Sequence, residues 1–432
     1  MIVDLPYQRL GAKFLAERRH AYLADEMRLG KSRQSIMAAD MCGFDRVLVV
    51  CPAIARVNWV REFEKHSIYT REFQVITSKI IKVQKGKSCV ISYELARDVN
   101  ANALLRAEQF DVLIVDEAHY LKSRISKQTA AIVGPFGLAR TVKATWLLSG
   151  TPTPNGDPGE LWPVLRTLAP EVITRDGSVL EYEPFMDWYT IRHQTTRGRH
   201  TITKVRKLVH QEELNTALDS FMLRRTKKQV RPELPKMLFG EISIDVPADE
   251  YAEISMEDLP DTETPELSTL RRQLGQLKVK PLAEYIRTEL HNGLDKLVVF
   301  AWHVDVIEGL AARLRETSEA KSVHVATIHG GLGAKHNQSA VDRFRTDPDC
   351  RVLVGQIKAC GTAISMAAAD NVIFAELSWV PGDNEQALMR VEDPSKNYAC
   401  MTRFAIARGT LDDALMAVLR RKGNWTHEIL GA

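Results

Sequence analysis

Short runs of apolar residues bounded by turn residues recur along the chain in two groups. The first comprises VLVV (47–50), CVI (89–91), VLIV (112–115) and WLL (146–148). The second comprises LVVF (297–300), VHVATI (323–328), RVLV (351–354) and NVIF (371–374). These runs do not alternate with polar residues, which is the pattern of strands covered on both faces, as in parallel sheets. Helical periodicity fills much of the spacing inside each group, so each group predicts an α/β lobe built on a parallel sheet flanked by helices. The stretch between the groups carries no comparable run. The expected layout is a first lobe over 1–240 with a helical, basic protrusion at about 155–235, an acidic linker region over 241–268, and a second lobe over 269–432 ending in a helix.

Composition narrows the class. The 432 residues allow two to four domains at roughly 100–200 residues each. With 45% hydrophobic and 26% charged residues, the chain has the profile of a globular protein. No apolar run is long enough to span a bilayer, and MIVDLPYQRL lacks the basic start and apolar stretch of a secretory signal, so a cytoplasmic protein with no membrane role is expected. Six scattered cysteines with no Cys-x-x-Cys pair point to a reducing compartment and away from a zinc module. Net charge is only +3, so any nucleic-acid binding must come from local clusters. Residues 192–207 hold six Lys/Arg and no acid, and 221–231 hold five more bases, whereas 245–266 hold nine acids, three prolines and no base. The acidic piece reads as an exposed linker or surface helix. The basic piece reads either as a solvated face or as a surface for duplex backbone. Aromatic residues are not interleaved with its charges, which disfavours base stacking.

The candidate chemistry starts at LADEMRLGKSRQSI, Leu23–Ile36. Gly30-Lys31-Ser32 at a helix start offers backbone N–H groups and a lysine to phosphates and a hydroxyl to Mg²⁺. The tripeptide alone is weak, because the full P-loop pattern wants glycine where Asp25 stands. The segment VLIVDEAHY (112–120) strengthens it by placing two carboxylates at the end of a buried strand, where ligands of open α/β sheets collect. Asp116 can hold the metal and Glu117 can orient and deprotonate a water.

Together with LPYQR (5–9), LLSGTP (147–152) and FMLRRTKKQVRPELP (221–235), these segments closely resemble the SWI/SNF-type ATPases of helicase superfamily 2. LGQLKVKPLAEYI (274–286), KLVVFAWHVDVIEGL (296–310) and TIHGGL (327–332) resemble its annealing-helicase and fork-remodeller branch, and GTLDDALMAVLRRK (409–422) its brace-like end. The resemblance implies two RecA-like lobes and a bare motor of the kind phage members carry. It implies that Gln8 reads adenine, that Arg28, Leu29, Gly30, Lys31 and Ser32 surround the phosphates and metal, and that His119 links the acidic pair to Ser149-Gly150-Thr151. Candidate DNA contacts are Pro52, Ser92, Gly330, Gly361 and Thr362, with Arg197, Arg199 and Lys204 of the basic stretch. Trp59 and Trp379 match family positions and are expected to pack.

The last motif departs from the family. In QALMRVEDPSK (386–396), Gln386, Ala387 and Arg390 match, but Asp393 stands where a second arginine belongs. An arginine finger is worth roughly 10³ to 10⁵ in phosphoryl transfer, and a carboxylate there would repel the phosphates. Arg28, where the family has glycine, is a second departure. Independent drift and an ion pair between Arg28 and Asp393 are both open, and Lys396 or Arg403 could supply the missing cation.

The expected function is an ATP- and Mg²⁺-dependent translocase on double-stranded or forked DNA, serving repair or recombination by remodelling forks or annealing strands. It is expected to be monomeric, with a regulatory protein partner open. Two alternatives stand beside it: an ATP-binding DNA clamp with little turnover, and a strand-separating DNA or RNA helicase.

Overall fold

The structure is a computed structural model that describes residues 5–78, 82–154, 157–197, 200–232, 237–247, 264–316, 324–361, 366–392 and 399–422. The chain divides into two compact units, residues 1–232 and 233–432.

The first unit contains β1 (His20–Leu23), β2 (Val47–Cys51), β3 (Phe73–Val75), β4 (Ser88–Ser92), β5 (Val112–Asp116), β6 (Ala144–Leu148), β7 (Thr190–Arg197), β8 (His200–Leu208) and β9 (Met222–Leu223). Seven of these form a sheet in the order β9-β1-β6-β5-β2-β4-β3, with parallel neighbours throughout. Strands β2, β4 and β6 are buried at every position. That is why their runs are apolar without alternation. Strand β5 is buried through Val115 and opens at Asp116, so the chain leaves the core with a carboxylate.

Three helices border the site. Helix α1 (Pro6–Ala16) starts with proline at its first position, where no N–H is needed, and buries Tyr7, Gln8, Gly11, Ala12 and Leu15. Helix α2 is Lys31–Met41 and α3 is Arg56–His66. Gly11 lets α1 approach α2 closely, since a Cβ there would lie 1.7 Å from Gln34 Oε1.

The second unit contains β10 (Leu238–Ser243), β11 (Leu297–Ala301), β12 (Val325–Ile328), β13 (Val352–Gln356), β14 (Asn371–Phe374) and β15 (Met401–Ile406). Their order is β10-β15-β14-β11-β13-β12, again parallel. Helices α4 (Pro265–His291), α5 (Val304–Arg315), α6 (Pro381–Met389) and α7 (Leu411–Lys422) belong to it. A buried ion pair ties α4 to α7: Lys278 Nζ donates to Asp412 Oδ2 at 2.7 Å and to the Ala405 carbonyl at 3.1 Å. Among the described residues, no helix is long and apolar enough to cross a membrane.

Two regions differ from the pattern-based expectation. Within the region expected to form a helical, basic protrusion, helices are present at Trp162–Leu168, Tyr182–Tyr189 and Gln211–Leu218, but residues 190–197 and 200–208 form the antiparallel ribbon β7–β8. Its β-branched Thr and Ile residues favour extended backbone, a local preference that the charges obscure. Residues 238–243 form β10, an edge strand paired with β15, although 241–243 were expected in the linker. The acidic residues 248–263 lie outside the described residues, and Thr264 caps α4 by accepting from Leu267 N at 3.3 Å.

Candidate active site

The loop between β1 and α2 is shaped by two left-handed residues, Arg28 at φ +69° and Gly30 at φ +75°. Gly30 is the N-cap of α2, so the first amides of an eleven-residue helix open at this point, a natural anion site. Lys31 folds back over the loop, its Nζ donating to the carbonyls of Asp25 (2.8 Å) and Glu26 (3.3 Å). Gln8 is buried against the same loop, donating from Nε2 to the Leu29 carbonyl at 3.4 Å while its Oε1 accepts from Leu5 N. A Cβ on Gly30 would lie 2.5 Å from Gln8 Nε2, so glycine is needed for both its φ and its space.

Asp25, the residue that breaks the P-loop pattern, is fully buried and holds the loop from beneath. Arg225 grips it bidentately, Nε to Oδ1 at 2.9 Å and Nη2 to Oδ2 at 2.5 Å. Gln34 Nε2 also donates to Oδ2, at 3.1 Å, and to the Leu29 carbonyl at 3.0 Å. Arg225 further donates to the Tyr7 carbonyl at 2.7 Å and to Gln34 Oε1 at 2.9 Å, which joins α1, the loop and α2 in one network. Burying a carboxylate requires such compensation. One of the bases in the 221–231 cluster is therefore an internal residue, and sequence reasoning did not single it out.

The acidic pair emerges at the end of β5. Asp116 is held through both oxygens: Trp59 Nε1 donates to Oδ2 at 2.9 Å and Glu117 N to Oδ1 at 3.0 Å. Trp59 is buried as expected, but its indole N–H also fixes a candidate metal ligand, a contact the sequence did not signal. Glu117 has left-handed backbone, φ +54° and ψ +49°, which is strained for a residue with a side chain. The Tyr93 hydroxyl donates to the carbonyls on either side of this kink, Asp116 at 2.6 Å and Glu117 at 3.2 Å. Burial, reinforced by the charges of Asp116 and Glu117, pushes the Tyr93 phenol well above its ordinary pKa, so it stays a donor. Burial and Asp116 likewise raise the Cys51 thiol, which keeps it protonated.

The segment after β6 lies between the loop and the acidic pair, because β6 separates β1 from β5 in the sheet. His119 Nδ1 is 3.0 Å from Ser149 Oγ and 3.3 Å from Glu117 Oε2, and Thr151 N donates to Ser149 Oγ at 3.2 Å. On the other side, a Cβ on Gly150 would meet Met27 Cγ at 2.7 Å and Lys31 Nζ at 3.4 Å.

In the second unit, Arg390 donates from Nε to the Gly361 carbonyl at 3.1 Å, and Gln386 packs within 3.4 Å of where a Gly361 Cβ would sit. Arg403, one of the cations considered as a substitute, is engaged within the second unit by Glu289, Tyr285 and Asn371. Gly330 N donates to Gln356 Oε1 at 3.1 Å, which engages the amide expected to meet a phosphate. Ser92 is only 2% exposed and its Oγ caps the turn of helix after β4. Contact with nucleic acid at that point would therefore fall to its exposed neighbours and not to the hydroxyl. Pro52 is buried at the end of β2, and Trp379 is buried as expected. Arg197 and Lys204 sit on the ribbon at pairs with His200 and His193. Arg199, Thr362, Asp393 and Lys396 lie outside the described residues, and with them the Arg28–Asp393 pairing.

The SNF2-related domain matches residues 7–249, more than half of the chain. The chain belongs to the SNF2 family. The helicase conserved C-terminal domain matches residues 277–392 of this SNF2 chain, and its two α/β units are the RecA-like lobes of the family, whose members hydrolyse ATP. It is 30% identical to the mouse DNA annealing helicase and endonuclease ZRANB3 over 448 aligned residues, 99% of this chain and 40% of that protein. It is 26% identical to the Drosophila melanogaster SWI/SNF-related matrix-associated actin-dependent regulator of chromatin subfamily A-like protein 1, over 97% of this chain and 55% of that one. The SNF2 chain thus spans about half the length of these curated relatives. Among solved structures it is similar to the Sulfolobus solfataricus SWI2/SNF2 ATPase core in complex with dsDNA, at 22% identity and a TM-score of 0.46, covering 97% of this chain and 91% of that one.

Proposed function

We propose that this SNF2 chain is an ATP-dependent translocase on double-stranded DNA that acts at forks or annealing strands. The observation that carries the reading is the Ser149–Thr151 segment, which touches the acidic pair through His119 and closes on the phosphate-loop lysine at Gly150. A lysine, a helix N-terminus and two carboxylates bound into one unit are the parts of a phosphoryl-transfer site. The α2 amides and Lys31 hold the phosphates, Gln8 borders the base, and Arg28 and Leu29 complete the loop. Ser32 and Asp116 offer hard oxygen donors that fit Mg²⁺, whose charge would offset that of the phosphates. Glu117 orients the attacking water and accepts its proton on the carboxylate, and Arg390 contributes positive charge from the second lobe. The relatives' names, an annealing helicase among them, support DNA as the substrate. Its backbone is held at the strand ends around Pro52, Ser92, Gly330, Gly361 and Thr362 and by Arg197, Arg199 and Lys204 of the ribbon, a mode that positions without reading sequence.

Steady-state phosphate release with duplex, single-stranded and forked DNA, beside Lys31→Ala, tests the reading. Strong stimulation by duplex or fork, lost in the variant, is expected. A triplex-displacement assay beside a tailed-duplex assay separates translocation from strand separation. A clamp with little turnover is the second reading, favoured by the commitment of Arg403 to Glu289. It requires ATP to tighten DNA binding while phosphate release stays at background.

A further inference from the structure

The exits of β2, β4 and β5 lie side by side, since β2 pairs with both of the others and the registers run Cys51 to Ser92 and Val50 to Val115. Each exit turns from buried strand to surface within a few residues. After β2 come exposed Ala53 and Val57, the latter 54% exposed, and after β4 comes exposed Glu94. This surface is anchored: Arg56 donates to the Ala53 carbonyl at 2.9 Å and to the Ile76 carbonyl at 2.6 Å. From the β2 and β4 exits one buried aromatic residue each runs inward, and both end on the Asp116–Glu117 turn at the β5 exit. Trp59, on the first turns of α3, reaches the Asp116 carboxylate, and Tyr93, adjacent to Ser92, reaches the Asp116 and Glu117 carbonyls. Both are 2% exposed, and among the described residues the side-chain hydrogen bonds of each go to the strained Asp116–Glu117 turn.

We infer that Trp59 and Tyr93 are positioning residues that couple nucleic-acid contact at the β2 and β4 exits to the geometry of the Asp116–Glu117 turn. The inference rests on the proposed reading that these exits face the DNA backbone. The physical argument is leverage on a strained element. Glu117 holds a backbone conformation disfavoured for its residue type, so small changes in what braces it shift the turn between arrangements. A load on α3 moves the donor on the Asp116 carboxylate, and a load on the β4 exit moves the donor on the two carbonyls. The Ser149–His119 contact reaches the same turn from the β6 side, but its chain does not pass through either exit.

Coupling of this kind is reciprocal: if duplex tightens nucleotide binding by some factor, nucleotide tightens duplex binding by the same factor. The full chain is therefore titrated with a fluorescently labelled duplex, with and without saturating non-hydrolysable ATP analogue. It is then titrated with a fluorescent form of that analogue, with and without duplex. For the unmodified chain the factor is expected within the usual range of about 5–150. Tyr93→Phe and Trp59→Phe should each bring it below about 2 in both directions, while the affinity for duplex alone stays within about twofold. Tyr189→Phe is the control: it removes a buried hydroxyl that reaches Glu213, away from the turn, and should leave the factor unchanged. Thermal unfolding shows whether each variant folds. Tyr93→Phe, which loses a single oxygen, decides the matter if Trp59→Phe does not fold. A factor that persists in both variants, or falls equally in the control, overturns the inference and leaves the translocase reading standing. An unmodified chain that binds no duplex overturns both.

Discussion

Glycine is indispensable at one position of the phosphate loop and absent from another of the same conformation. Gly30 and Arg28 both have φ near +70°, and at Gly30 the space a side chain would need is also taken by Gln8. Gly30→Ala should cost about 1–2 kcal/mol for the left-handed backbone alone. It should also push Gln8 off the loop and weaken nucleotide binding at least tenfold, which fluorescence titration and urea unfolding would measure together. Unchanged affinity would mean that the loop relaxes around the new Cβ. A different residue sets a pH dependence. His20, at the start of β1, has its pKa lowered to about 4, first by burial and then by Arg19 and Arg140. The neutral form is the folded one, and the unfolded chain takes up a proton near pH 6.5. Stability from this residue is therefore complete above about pH 6.5 and lost as pH falls toward 4. Tm measured from pH 7 to 4 should fall less steeply in His20→Gln than in the unmodified chain.

At the scale of elements, the site depends on an ion pair between residues 200 positions apart. Arg225 and Asp25 tie β9 and the chain after it to the phosphate loop, with backbone bonds from Ala24 N to the Leu223 carbonyl and Glu26 N to the Arg225 carbonyl alongside. Arg225→Ala leaves a buried carboxylate without its partner, a loss of about 3–5 kcal/mol in comparable cases. Arg225→Lys keeps the charge but not the bidentate fork, and should fall between the two. Urea midpoints of the three proteins check the order, and equal midpoints for the lysine variant and the unmodified chain would remove the fork from the argument. This pair also marks where sequence reading stops. The strands buried on both faces were legible because burial there favours unbroken apolar runs, as in VLVV and VLIV. Strand β1 was not, being short and starting with His20, and neither were the edge strands β3, β9 and β10, whose outer positions tolerate polar residues, nor β15 beside β10, whose run is interrupted by Thr402 and Arg403. The motifs were legible because a loop and its helix start are contiguous. The contacts of Trp59 with Asp116 and Arg225 with Asp25 were not, since distant contacts leave no local periodicity. The ribbon was concealed by its own charge.

For the whole molecule, the division at residues 232 and 233 assigns the proposed catalytic groups to different units. The phosphate loop, the acidic pair and the network around Asp25 all belong to the first unit, whereas Arg390 belongs to the second. Each unit has its own parallel sheet and its own apolar core, which is the condition for folding alone. A fragment of residues 1–232 should therefore unfold cooperatively and bind ATP, because every contact described around Gly30 and Lys31 lies within it. It should not turn ATP over, because it keeps Lys31 but lacks Arg390, and loss of an arginine finger forfeits roughly 10³ to 10⁵ in rate. Circular dichroism, nucleotide titration and phosphate release on the fragment and on the full chain, each with duplex DNA, make the comparison. If the fragment binds ATP as the full chain does and releases no phosphate while the full chain does, Arg390 or a neighbour completes the site. If both bind and neither turns over, Asp393 stands where the missing arginine matters, and Asp393→Arg in the full chain should restore turnover. If the fragment alone hydrolyses ATP at the rate of the full chain, the second unit supplies no catalytic charge, and the role given to Arg390 is wrong.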